Sequence, residues 1–206
     1  MTDSGDIFLW RRLKTGDKKA LEQIYSTHVD ALIQYGRRFC SNEQLVEDAI
    51  QDLFIYVWSN KEKLGDTDSI IRYLLISLKR ALFKKMKEAG KIADAEPEHH
   101  SFEASLSMED MIIEEEGFEE QSTKLKQAFE ALSAKQKEAI YLRFYQKLDY
   151  EAICEIMEIN YQSVRNLISR ALSRMRGHMN VLFWWILLLG EIFAKILSTK
   201  GGIDPY

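Results

Sequence analysis

The sequence of 206 residues is poor in the residue types that punctuate or crosslink a fold: it has two prolines, two cysteines and ten glycines. So little proline and glycine excludes a collagen-like or low-complexity chain and is scant for the turn-dense sequences of all-β folds. Cys40 and Cys154 stand far apart and match neither a metal-ligand spacing nor a disulfide framework, so no crosslink, metal or cofactor is expected. No basic-then-apolar leader opens the chain, so a cytoplasmic location is expected. There is no phosphate-cradling glycine loop, metal-spaced His/Cys set or nucleophile–base constellation, which argues against an enzyme. The length suffices for one compact core or two small domains.

What is abundant is charge, and it is unevenly placed. The whole chain carries 28 Lys+Arg against 32 Asp+Glu, a net charge of −4 that argues mildly against a nucleic-acid binder. By segment, residues 1–93 hold 16 basic and 13 acidic side chains, residues 94–122 hold 11 acidic and no basic ones, and residues 123–178 hold 10 basic and 6 acidic. Two basic blocks therefore flank one acidic stretch. That stretch contains Pro97, scattered serines and no sustained apolar period, so it reads as a solvated linker, with a short helix at Met108 to Phe118 as one option. His99 and His100 within it have no further ligand at useful spacing, and no metal site is expected there.

The first block is patterned as helices. Asp17 is placed to cap a helix in which Leu21, Ile24, Tyr25, Leu32 and Phe39 recur at helical spacing. Ser41 and Gln44 make a capping-box pair ahead of Leu45, Val46, Ala49, Ile50, Leu53, Phe54, Val57 and Trp58, a one-sided apolar stripe. Glu47, Asp48, Gln51 and Asp52 lie on the opposite face, either as an ordinary wet surface or as a binding surface. A third helix buries Ile71, Leu74, Leu75, Leu78 and Leu82. Elsewhere it carries Arg72, Lys79, Arg80, Lys84, Lys85 and Lys87, with Tyr73 and Phe83 among them. Cations that track phosphates beside rings that accept unstacked bases suit single-stranded nucleic acid, although basic solvated helices are common.

The second block reads as a helix-turn-helix. Ser133 and Gln136 repeat the capping-box spacing, and Asp149 precedes a helix whose Tyr150, Ile153, Cys154 and Met157 are expected to face inward. After the turn, Val164, Leu167, Ile168, Ala171, Leu172 and Met175 follow offsets 0, 3, 4, 7, 8 and 11. This leaves Gln162, Arg165, Asn166, Ser169, Arg170 and Arg174 outward. Arg can take guanine bidentately and Asn or Gln adenine, which is what major-groove reading requires. The competing possibility is a three-helix bundle with a basic surface.

On these residues the sequence resembles the extracytoplasmic-function sigma factors, two-domain promoter-specificity subunits of bacterial RNA polymerase. VEDAIQDLFIYVW at 46–58 resembles their polymerase-docking helix, YLLISLKRALFKKMK at 73–87 their −10 helix, and residues 131–176 their −35 helix-turn-helix domain. The resemblance implies an all-α fold: a region 2-like domain at 1–93, the acidic linker at 94–122, and a region 4-like domain at 123–178. It implies polymerase contacts at Glu47, Asp48, Gln51 and Asp52, and −10 contacts at Tyr73, Lys79, Arg80, Phe83, Lys84 and Lys87. Gln162, Ser163, Arg165, Asn166, Ser169, Arg170 and Arg174 would contact the −35 element. The implied partners are core RNA polymerase, promoter DNA and an anti-sigma factor. Three positions depart from the usual pattern: Arg80 stands for Asn, Cys154 for a small Ala and Glu158 for Gly.

Residues 179–206 form an extension that the resemblance does not cover. VLFWWILLL at 181–189 is continuously apolar, but Glu191 and Lys195 interrupt the stretch that follows. Each such ion near a helix centre costs about 2.5–3.5 kcal/mol on insertion scales. An apolar C-terminal helix packed on protein, a membrane association through 181–197 and a structureless tail all remain open. Two other functions fit parts of the chain. A helix-turn-helix regulator acting without polymerase leaves 46–58 and 73–87 unexplained, and a membrane-tethered signalling adaptor would rest on the tail.

Overall fold

The computed structural model describes residues 4–90, 102 and 126–176, and every regular element among them is helical. In chain order these are α1 (Ser4–Lys14), α2 (Lys18–Arg37), α3 (Glu43–Ser59), a 3-10 turn (Lys61–Lys63) and α4 (Ile70–Glu88). After a helical stretch at 126–130 come α5 (Ala134–Ile140), which runs on as a π-helical turn (Tyr141–Tyr145), then α6 (Tyr150–Met157) and α7 (Tyr161–Arg176). The linker other than Phe102, including His99, His100 and the helix considered at Met108 to Phe118, lies outside the described residues. So does the C-terminal extension with its apolar segment 181–197.

Side chains close the exposed amide ends of the first helices. Asp17 Oδ1 accepts from the Lys19 amide at 2.9 Å, and Arg12 holds its other oxygen, which lowers the Asp17 pKa below the ordinary carboxylate value. At α3 the cap falls one residue later than the sequence pattern predicts. Asn42, not Ser41, accepts from the Leu45 amide at 3.1 Å. Asn and Ser cap about equally well, so spacing alone cannot choose between neighbours. The start of α4 is tied to α1, since Asp6 accepts from the Ile70 amide at 2.8 Å and Trp10 Nε1 donates to the Gly65 carbonyl at 2.9 Å.

Inside this bundle α3 packs against α2 and α4. The expected stripe of α3 is buried from Val46 to Val57, with Leu45 and Trp58 half-buried at its edges. Two expectations fail: Tyr25 is exposed, and α4 turns Ile70 rather than Ile71 fully inward. Gly36 marks the closest approach of α2 and α3, because a Cβ there would lie 2.6 Å from Val46 Cγ1. A valine methyl cannot swing aside cheaply, as its χ1 is restricted in a helix. Gly36→Ala is therefore expected to destabilise by about 1–3 kcal/mol despite the gain in helix propensity. Adding Val46→Ala should relieve much of that cost, as urea denaturation of the two variants would show.

The second bundle follows its sequence pattern more closely. Both halves of the capping box form: Ser133 Oγ accepts from the Gln136 amide at 3.3 Å, and Gln136 Oε1 accepts from the Ser133 amide at 3.0 Å. Asp149 caps α6 through the Ala152 amide at 2.8 Å. In α6 the fully buried residues are Ala152, Ile153 and Ile156, while Cys154 and Met157 are half-buried. Along α7 Val164, Ile168, Ala171 and Met175 are buried, with Leu167 and Leu172 half-buried.

The buried side chains of both bundles join in one continuous cluster. Phe102 belongs to it at 2% exposure, although the segment around it reads as solvated. Its ring meets Phe39 at 5.3 Å, Tyr141 at 5.6 Å and Tyr35 at 6.3 Å between centroids. An isolated aromatic in an acidic, non-periodic stretch gives no helical or strand signal, so pattern reading passes over it.

Candidate nucleic-acid and polymerase interfaces

The outward face of α7 follows directly from its buried stripe. Gln162, Arg165, Asn166, Ser169, Arg170 and Arg174 are exposed and Ser163 is half-buried at the edge. Gln162 Nε2 donates to Asn166 Oδ1 at 3.1 Å, which fixes the two amides relative to each other one turn apart. Arg174 Nη1 is held by the Ala131 carbonyl at 3.1 Å, near the C-terminal end of the helix. Amides and one Arg in the early turns, with further arginines behind them, are the ordering that base-edge and phosphate contacts require.

The turn before α7 depends on Glu158. It caps α6 at φ 55 and ψ 39, the left-handed region in which a side chain is disfavoured and glycine is at ease. The absence of glycine has therefore not removed the turn conformation. It has placed a carboxylate there, which pairs with Arg80 of α4. Nη2 and Nε of Arg80 donate to one oxygen of Glu158 at 2.7 and 3.2 Å. Two of the three positions at which the sequence departs from the family pattern thus meet each other.

On α4 the −10 candidates do not share one surface. Tyr73 packs on Trp10, with ring centroids 4.9 Å apart, and burial raises its phenol pKa. Phe83 sits edge-on to Phe39 at 5.3 Å. Lys84 and Lys87 are exposed, and Lys84 lies 3.9 Å from Glu88. Lys79 and Arg80 point at the second bundle. Lys79 Nζ donates to Glu138 Oε1 at 2.6 Å, and the Tyr35 hydroxyl donates to the same oxygen at 2.8 Å. Tyr35 is fully enclosed, and its pKa is pushed well above the ordinary phenol value by burial first and by the Glu138 charge second. Arg72 lies 3.3 Å from Glu155. Sequence reasoning missed Tyr35, Glu138 and Glu155. The first fitted a core position and the acids looked like solvated residues of short helices.

The acidic face of α3 borders a groove of about 650 Å³ between α2 and α3. Glu47, Asp48 and Gln51 lie along it with Tyr25, Phe54 and Ile55. Tyr25 and Ile55 are exposed apolar residues there, and Tyr25 meets Phe54 edge-on at 5.0 Å. Asp52 turns the other way, to Lys85 of α4 at 2.6 Å, and that bond raises the lysine pKa. Three of the four expected polymerase contacts therefore share a groove, and Asp52 is tied within the bundle. Among the described residues there is no cluster of three or more His, Cys, Asp or Glu able to hold a metal ion. No helix among them is long and apolar enough to cross a membrane. Cys40 and Cys154 are both free thiols.

Comparison with known proteins fits this geometry. Residues 122–175 match the family sigma-70, region 4. A comparison with curated protein sequences gives no match. Among solved structures, CnrH in complex with the cytosolic domain of CnrY shares the fold over 84% of this chain and 95% of its own, with a TM-score of 0.53 and 18% identity. The sigma factor RpoE in complex with the anti-sigma factor NepR, from Bartonella quintana, does so over 78% and 96%, with a TM-score of 0.54 and 20% identity. Residues 122–175 thus carry a sigma-70 region 4 sequence, and the chain shares its fold with these two solved structures.

Proposed function

We propose that the chain directs transcription initiation by bringing core RNA polymerase to promoters through three surfaces. The groove between α2 and α3, with Glu47, Asp48 and Gln51 on its border, docks on a basic helical surface of the polymerase. The basic side of α4, with Lys79, Arg80, Lys84 and Lys87, holds the melted −10 strand. The outward face of α7 reads the −35 duplex through Gln162, Arg165, Asn166, Ser169 and Arg170. The observation that carries this reading is the α7 face, where from Gln162 onward every exposed side chain is polar or basic. The chain supplies recognition, and the chemistry belongs to the polymerase. An anti-sigma factor is part of the proposal, since the two solved neighbours were captured with the cytosolic domain of CnrY and with NepR. Action in the cytoplasm, and membrane association through 181–197, are its further parts.

Run-off transcription with purified core polymerase tests it, comparing the full chain with Arg165→Ala. If Arg165 reads a base, its loss should cost about 1–3 kcal/mol of binding at the preferred promoter and relax discrimination at one position. Equal weakening on all sequences would reduce Arg165 to a phosphate contact. No promoter-dependent transcript with the unaltered chain would sink the proposal.

A further inference from the structure

Three acids of the second bundle reach the same side of α4. Glu138 meets Lys79 at 2.6 Å, Glu158 meets Arg80 at 2.7 Å, and Glu155 lies 3.3 Å from Arg72. The charges are complementary along the contact. From Tyr150 to Glu158 the chain carries Glu151, Glu155 and Glu158 and no basic residue, whereas α4 carries six cations and a single acid, Glu88. The central pair is enclosed, with side-chain exposures of 19% for Lys79 and 7% for Glu138, while Arg80 and Glu158 stay open to water at 69% and 64%. A cavity of about 380 Å³ lies beside these pairs, between Phe83, Phe102 and Met157. The outward face of α7 takes no part in these contacts.

We propose that Glu138, Glu155 and Glu158 form an internal clasp that occupies Arg72, Lys79 and Arg80 of α4 in place of nucleic-acid phosphates and holds the two bundles closed. The clasp engages Lys79 and Arg80 on the strand-binding side of α4, leaves Lys84 and Lys87 exposed, and leaves the duplex-reading side of α7 open. A closed chain can therefore meet duplex DNA while it holds a single strand only weakly. The masking half of this inference rests on the proposed role of α4. The closure half rests only on the ion pairs. The Arg80–Glu158 pair is exposed and screened by salt, so it sets how readily the clasp yields, and the enclosed Lys79–Glu138 pair sets the register.

The test uses the full chain and Glu155→Gln/Glu158→Gln, with Glu138→Gln added in a third protein. Each is measured by small-angle scattering and by binding to a fluorescein-labelled single-stranded oligodeoxynucleotide and to a random-sequence duplex. The variants should expand in solution. Raising the open fraction about fivefold should raise apparent single-strand affinity by about the same factor, with duplex affinity shifting far less. Arg80→Glu alone should also expand the chain, and Arg80→Glu/Glu158→Arg should recover the compact form. Unchanged scattering in every variant would overturn the clasp. Expansion without any gain in single-strand affinity would instead remove α4 as the strand-binding side and leave the closure standing. An equal gain on strand and duplex would overturn the masking, since lost negative charge alone would account for it.

Discussion

Reversing two charges, Glu47→Lys/Asp48→Lys, is expected to abolish co-purification with core RNA polymerase while the helical far-UV signal and urea midpoint stay nearly unchanged. Both residues are exposed on α3, one full face away from the buried stripe that holds the helix in place. Surface exchanges of this kind usually move stability by less than about 0.5 kcal/mol. Binding is a different matter. The groove beside them presents Tyr25, Phe54 and Ile55, an apolar centre with an acidic border. A partner that fits the border must be basic, and like charges brought together across an interface cost several kcal/mol. The same exchange at Asp52 should do less to binding and more to the bundle, because Asp52 is already held by Lys85. If the double reversal left polymerase binding intact, the groove would not be the docking surface.

The second large effect concerns the enclosed pair between the bundles. Lys79→Met should destabilise much more than Glu138→Gln, although the two changes break the same contact. Removing Lys79 strands a carboxylate that is 7% exposed and, among the described residues, keeps the Tyr35 hydroxyl as its remaining side-chain partner. Losing one partner of a buried pair in this way costs about 3–5 kcal/mol. Removing the charge of Glu138 leaves a lysine at 19% exposure, with a flexible stem and a carbonyl acceptor at Ile156. Its ammonium can turn toward water, and the amide of Gln can still accept from Tyr35. The double variant Lys79→Met/Glu138→Gln should recover most of the single-variant loss. Urea unfolding of the three proteins decides it, and a larger loss in Glu138→Gln than in Lys79→Met would contradict the account.

The parts of the molecule that sequence revealed are those in which one short period settles everything. Along α7 the offsets of Val164, Ile168, Ala171 and Met175 put one face in the core and leave the candidate recognition residues outside, with no information needed from elsewhere in the chain. The caps at Asp17, Ser133 and Asp149 were legible for the same reason, since donor and acceptor lie within three residues. At α3 the local signal was shared by Ser41 and Asn42, and the backbone took the second. The contact between bundles was illegible because its members are far apart in sequence. Tyr35 and Glu138 are separated by 103 positions, and Arg80 and Glu158 by 78. Each of these residues has an unremarkable local setting, as a core aromatic, a polar residue of a short helix, one cation among six, or a turn acid. Only the fold brings them together. The α7 candidates therefore share one exposed face, and three of the four α3 candidates share one groove. On α4 it mixed exposed cations with side chains committed to packing.

The seat of Phe102 sets the reach of the chain. That ring is enclosed between the two bundles, against Phe39 of the first and Tyr141 of the second. Spanning two promoter elements would ask the opposite of the segment, one long leash with the ring released. Giving up the burial of a phenylalanine side chain costs about 1.5–3 kcal/mol. A single residue of the tether thus works as a ratchet tooth. While it is seated, one residue of the linker ties Phe39 of the first bundle to Tyr141 of the second.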